Sequence, residues 1–196
     1  MRVLVLYAHP VETSFHAALH ARVVQALRAA GHEVDDCDLY AEDFNPVLSR
    51  EERLNYRDTT RNTAGVASYV QRLQRAEALV LCFPTWCFGL PAILKGFFDR
   101  VLVPGVAFDI SNPAKVRPGL THLCHIAAVV TYGRPRWMAW AMGDPPRKVV
   151  TRYLRALCGR GVRIRYHARY HMNVATSDQI ERFALRVEDA MHRLPL

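Results

Sequence analysis

Val3-Leu4-Val5-Leu6-Tyr7, followed by His9-Pro10-Val11-Glu12-Thr13-Ser14 and then by Phe15, Leu19, Val23 and Leu27 up to Gly31, is the stretch on which the fold turns. The first five residues form an unbroken apolar run of strand length. The last four recur at the period of a helix, which Thr13 or Ser14 can cap and Gly31 can stop. The same grammar recurs downstream. Strands are expected at Glu33 to Asp38, Ala78 to Phe83, Leu120 to Val130, and Val162 to Tyr166 or slightly beyond. Helices are expected over Val66 to Ala76, Pro91 to Val101, Lys148 to Cys158 and Gln179 to Met191. Strands that alternate with helices build a parallel sheet covered on both faces. The continuous apolarity of the first, third and fourth strands is what burial on both faces demands. The expected architecture is therefore a three-layer α/β, doubly wound, five-stranded parallel sheet.

The segment from Leu39 to Asn62 is rich in Asp, Asn, Arg and Glu. It reads as a long, partly helical excursion after the second strand, too polar for a core element. No repeat, low-complexity tract or linker-like break divides the chain, so residues 1–196 are expected to form a single domain. With 51% hydrophobic residues, that length encloses one substantial core.

The formal charge of +8, from 26 basic and 18 acidic side chains, suits phosphate-rich partners in general. The arginines are dispersed and no motif that reads RNA or DNA accompanies them, so no nucleic-acid partner is expected. The five cysteines, Cys37, Cys82, Cys87, Cys124 and Cys158, form no CxxC pair and no zinc-ligand spacing. Reduced thiols in a cytoplasmic protein fit this pattern, and no metal site is expected. No export signal is visible, and no apolar run approaches the roughly 20 residues of a membrane-spanning helix.

In a doubly wound sheet, ligands bind beyond the carboxyl ends of the strands, where the strand order reverses. Three loops therefore concentrate the functional reading. After the first strand, free helix amides, the helix dipole and the hydroxyls of Thr13 and Ser14 make a phosphate cradle to which His9 or His16 can add a donor, although an ordinary N-cap has the same residues. It is neither a P-loop nor a GxGxxG turn. After the third strand, Phe83-Pro84-Thr85-Trp86-Cys87-Phe88-Gly89-Leu90-Pro91 is stiff, flat and apolar. Such a loop suits a planar heterocycle that needs stacking and rim hydrogen bonds. After the fourth, Thr131-Tyr132-Gly133-Arg134-Pro135-Arg136-Trp137 allows close backbone approach at Gly133 and offers positive charge from Arg134 and Arg136. Trp137 and Trp140 can wall a pocket or a subunit contact, or simply pack in a core.

Tyr7-Ala8-His9-Pro10 with Ser14-Phe15, Asp38-Leu39-Tyr40 with Phe44-Asn45-Pro46, and Phe83-Pro84 followed by the run from Phe88 to Val101 together resemble the NAD(P)H:quinone oxidoreductase, or DT-diaphorase-like, family. The likeness runs from residue 1 to about Gly133 and continues in element order only. It implies a flavodoxin-like fold with strand order 2-1-3-4-5, a noncovalent FAD or FMN, and homodimers with the active site at the subunit boundary. The implied activity is ping-pong hydride transfer from NAD(P)H through the flavin to quinones or similar small acceptors. Carried over by motif, His9, Ser14, Phe15 and His16 hold the phosphate portion of the flavin. Pro84, Thr85, Trp86, Cys87 and Phe88 line its ring, Thr131, Tyr132, Gly133 and Arg134 hold the other edge, and Phe108 matches a tyrosine that contacts the acceptor; Trp137, read as a pocket wall, is the second candidate acceptor contact. The tyrosine and histidine credited in the family with stabilising charge are missing from Trp137 to Gly143, which leaves Tyr132 and Arg134 as candidate catalytic groups. The alternative from another class is a flavin-binding regulatory subunit of a potassium-efflux-type transporter.

Overall fold

The computed structural model describes residues 1–112 and 115–195. In chain order its elements are β1 (Arg2–Tyr7), α1 (Phe15–Ala29), β2 (Glu33–Asp38), α2 (Arg50–Leu54), α3 (Ala67–Arg75), β3 (Ala78–Pro84), α4 (Ala92–Val101), β4 (Phe108–Asp109), β5 (Arg117–Pro118), β6 (His125–Thr131), α5 (Arg136–Ala141), α6 (Pro145–Lys148), α7 (Leu154–Cys158), β7 (Arg163–Arg169) and α8 (Ser177–His192). The main sheet has the order β2-β1-β3-β6-β7 and is parallel throughout. This is the expected 2-1-3-4-5 winding, with β4 and β5 set apart as a small antiparallel ribbon.

Alternate residues of each central strand serve opposite layers, because strand side chains have a period of two. Val3, Val5, Val80, Cys82, Ala127 and Val129 pack under α1 and α8, meeting Leu19, Val23, Leu27, Phe183 and Val187. Leu4, Leu6, Leu79, Leu81, Ile126 and Ala128 face the other way, toward Val70, Leu73, Leu94, Phe97 and Leu154. Each such side chain contributes about 1.5–3 kcal/mol on full burial. Helix α1 starts at an N-cap Ser14, whose hydroxyl accepts from Ala17 N at 3.1 Å. It stops where Gly31 turns left-handed at φ 84° and His32 N reaches back to Leu27 O at 3.1 Å.

Several expectations need correction. The fourth sheet strand, β6, begins at His125 rather than Leu120, because Leu120 to Leu123 closes a turn (Leu123 N to Leu120 O, 3.1 Å). Those leucines are buried, so their apolarity reported burial and not a strand. The helix expected from Lys148 begins at Pro145 and passes through a π-turn at Val149–Tyr153 before α7. Helix α5 and the β4–β5 ribbon, both very short, have no counterpart among the expected elements.

The polar excursion is also less detached than its composition suggests. Leu39 and Phe44 are buried in the core, and Arg100 of α4 grips the segment by bonding Glu52 Oε1 at 2.6 and 2.8 Å and the carbonyl of Asn45. Pro46 lies directly on Gly96 of α4, where any Cβ would overlap its backbone and ring. The glycine is therefore what lets the excursion close onto the helix.

Candidate active site

The carboxyl ends of β1, β3 and β6 deliver the three singled-out loops to one edge of the sheet. In the first, His9 Nδ1 accepts from Val11 N at 3.0 Å and lies 3.1 Å from the Ser14 hydroxyl. An imidazole nitrogen that accepts from an amide carries no proton, so the proton of His9 sits on Nε2 as a donor. Burial lowers the His9 pKa from its ordinary value, which keeps this neutral form. Ser14 satisfies the Ala17 amide, while the first-turn amides of Phe15 and His16 have no intrahelical acceptor. The ring of His16 is turned inward. It is only 3% exposed, lies 3.3 Å from Thr131 Oγ1, and is held by burial at a pKa of about 3. It is a neutral spacer between loops, and what it can offer an anion is its backbone amide. Phe15 is half-buried against the α1 side of the core.

The second loop is bolted to the third. Pro84 pairs with Thr131 at the end of the β3–β6 ladder, and Thr85 donates to Thr131 O twice, from its amide at 2.8 Å and its hydroxyl at 3.1 Å. Beyond it Trp86 O accepts from Gly89 N at 2.8 Å, closing a tight turn around Cys87 and Phe88, with φ of 50° and 56°. Both central residues are left-handed and neither is glycine, at a cost of about 1–2 kcal/mol each. Strain of this kind persists where the surroundings over-determine a loop, and it clusters at ligand sites. The Trp86 ring, 41% exposed, leans to within 5.9 Å of the His9 ring, joining this loop to the first.

In the third loop, Tyr132 N donates to Arg169 O at 2.8 Å and Tyr132 O accepts from Met172 N at 2.9 Å, anchoring it to β7 and its exit. A Cβ on Gly133 would stand 2.9 Å from Asn173 Oδ1, so any larger residue there would displace the Asn173 side chain. Thr85, Cys87, Phe88, Tyr132, Gly133 and Arg134 line a cleft of about 120 Å³. The amides of Cys87, Phe88, Gly133 and Arg134, all on its walls, have no backbone acceptor among the described residues. The Arg134 side chain is exposed and makes no ion pair with a described residue.

Tyr132 is a poor acid. Its hydroxyl is buried, 2.6 Å from both Asp144 Oδ1 and Tyr166 Oη, and burial, Tyr166 and Asp144 push its pKa far above the usual phenol range. Asp144, Tyr166, Tyr170 and Arg147, which complete this cluster, were not singled out in the sequence. The signal available was the alternation of β7, where Ile164, Tyr166 and Ala168 fall on the face packed against the core.

His9, Ser14, Phe15, His16, Pro84, Trp86 and Thr131 adjoin the cleft through the loop contacts above without lining it, whereas Phe108 and Trp137 are not brought to it in their own chain. Phe108 lies on the β4–β5 ribbon, beside a groove with Val116, Tyr153 and Leu157. Trp137 stands on α5, 67% exposed, next to Trp140 and Met142, which are also exposed. Among the described residues no group of His, Cys, Asp or Glu could hold a metal ion. No described helix is long and apolar enough to cross a membrane.

A parallel sheet of order 2-1-3-4-5 with helices on both faces and a cleft at its carboxyl edge defines a doubly wound α/β protein. The chain belongs to the flavodoxin-like fold family, whose model matches residues 1–187. The resemblance read from the sequence also holds for particular proteins. NAD(P)H dehydrogenase [quinone] 1 of Rattus norvegicus is 37% identical over 128 residues, covering 57% of this chain and 46% of that protein. An uncharacterized NAD(P)H oxidoreductase of Haemophilus influenzae is 36% identical over 121 residues, 59% of this chain and 57% of that one. The NAD(P)H:quinone oxidoreductase of Methanothermobacter marburgensis has a similar structure, with a TM-score of 0.85 and 26% identity, covering 100% of this chain and 99% of its own. The chain spans about half the length of the curated relatives it matches first.

Proposed function

We propose that this protein is a flavin-dependent NAD(P)H oxidoreductase of the quinone-reductase kind, passing a hydride from NAD(P)H to quinones or similar small acceptors through FAD or FMN. The observation that carries the reading is the set of four amides without backbone acceptors, on Cys87, Phe88, Gly133 and Arg134, bounding one cleft whose loops reach the start of α1 through the Trp86–His9 and Thr131–His16 contacts. The kinship with quinone oxidoreductases supports it.

The donor set fits such a cofactor. The Phe15 and His16 amides and His9 Nε2–H suit its phosphate, in the positive field of the helix start. The cleft amides suit carbonyl and nitrogen acceptors on a ring rim, with Trp86 and Phe88 beside it. When bound, the flavin supplies the two-electron chemistry. The chain's share is orientation, exclusion of water by Trp86 and Phe88, and fixed amide dipoles where negative charge gathers. With Tyr132 pinned under the floor, Arg134 is the charged group among the described residues on the cleft wall, and it acts as an electrostatic donor rather than an acid.

Phe108 and Trp137 serve the acceptor only if a second copy supplies them, so we take the working unit to be a homodimer joined near the exposed Trp137, Trp140 and Met142. The five free cysteines support residence in the cytoplasm. No observation favours the transporter-subunit alternative. The test is direct: the purified protein is expected to show flavin absorbance that bleaches anaerobically with NADH or NADPH and recovers on adding menadione. Heat release and mass analysis would identify FAD or FMN, and sedimentation would give the dimer. A protein that stays colourless after incubation with both flavins would refute the proposal.

A further inference from the structure

Beneath the third loop lies a closed polar cluster that the proposed chemistry does not use. The Tyr132 hydroxyl donates to Asp144 Oδ1 at 2.6 Å and is left to accept from Tyr166 Oη, also at 2.6 Å. Arg147 Nε donates to Asp144 Oδ2 at 3.1 Å, while Arg147 Nη2 reaches Tyr170 Oη at 3.1 Å. The rings lock the same groups together: Tyr132 stacks on Tyr170 at 4.4 Å, and the Arg147 guanidinium sits 4.3 Å above Tyr166. Each hydrogen-bonding group has a partner, and the charge of Asp144 is met by Arg147, so the cluster is rigid rather than strained for want of a bond.

The backbone around Asp144 is arranged to put its carboxylate there. Gly143 and Asp144 both turn left-handed, with φ of 78° and 43°, and Asp144 N closes onto Ala139 O at 2.8 Å. This costs about 1 kcal/mol or more at a non-glycine residue. Among the described residues, Tyr132 alone both lines the cleft and enters the cluster.

We propose that Asp144 is a positioning residue for the flavin site: by holding the Tyr132 hydroxyl it fixes the Tyr132-Gly133-Arg134 rim so that the Gly133 and Arg134 amides face the ring edge. The proposal rests on the flavin reading above. It assigns to a residue well outside the three loops a part in cofactor binding that the loop sequences do not disclose.

The test uses Asp144→Asn, Tyr132→Phe and the double variant of the full chain. Flavin affinity is read by fluorescence titration of the flavin-free protein, and the visible circular dichroism of the bound flavin reports ring orientation. Each single change is expected to weaken flavin binding about tenfold and to alter the dichroism, with the double variant losing clearly less than the product of the two, because both act on one bond: Tyr132→Phe deletes its donor and Asp144→Asn replaces its carboxylate acceptor with a weaker, neutral amide oxygen. If Asp144→Asn does not fold, Tyr132→Phe carries the test alone, since it keeps the ring and deletes only the hydroxyl. Unchanged affinity and dichroism with a lowered melting temperature would make the cluster a scaffold only and overturn the proposal, as would strictly additive losses. A wild-type chain that binds no flavin would overturn the flavin reading and this proposal together, whereas wild-type binding matched by the variants defeats this one alone.

Discussion

Ser14 and His16 are two residues apart and do opposite things, because one lies on the helix's open end and the other on its buried face. Ser14 caps α1 through Ala17 N and touches His9. Ser14→Ala is expected to cost about 1 kcal/mol and to weaken flavin binding as well, read by thermal melts with and without flavin; an equal loss in both would confine Ser14 to capping. His16 is held neutral, with its pKa brought from the usual 6.5 to about 3 by burial. Between those values the unfolded chain binds a proton that the folded one refuses. Stability is therefore whole above pH 6.5 and falls as the pH drops toward 3, by about 1.4 kcal/mol per pH unit. From pH 7 to 5 the native protein is expected to lose about 2 kcal/mol more than His16→Gln in urea unfolding. Parallel losses in the two would refute the buried neutral assignment.

At the scale of elements, the junction between α4 and the excursion after β2 decides how the chain closes. Alanine ordinarily favours a helix over glycine by about 1 kcal/mol. At Gly96, however, a methyl would strike Pro46, so Gly96→Ala is expected to destabilise by about 1–3 kcal/mol. The excursion should then become open to limited proteolysis between residues 47 and 62, and a stabilised, protease-resistant variant would contradict this packing. The elements themselves were largely legible: β2 has the expected bounds, and β1, β3, α1 and α4 lie within a residue or two of theirs, because periodicity reports which face is buried. The run from Leu120 misled for the same reason, since burial in a turn and burial in a strand look alike in a list of apolar residues. Helix α5, only six residues long, was too short to display a period.

For the whole molecule, the prediction follows from linkage between binding and folding. Flavin at a hundred times its dissociation constant is expected to add about 2.7 kcal/mol to stability, which raises the melting temperature by roughly 5–10 °C in a chain of this size. FAD and FMN should differ in this shift according to which one the chain takes. No shift with either would remove the basis for a flavin site. The three loops meet because β1, β3 and β6 are neighbours in the sheet although far apart in sequence, a convergence that the winding order predicts.

The sequence by itself determined the strand and helix alternation, the carboxyl-edge location of the site and the kinship carried by the Phe83 to Val101 signature, because each is written in local period or local motif. Only the tertiary structure decided that His16 points inward, that Tyr132 is tied to Asp144 and Tyr166, and that Phe108 stands apart from its own cleft. Those facts depend on where side chains from distant segments meet, and a one-dimensional pattern carries no distance between residues 132 and 166.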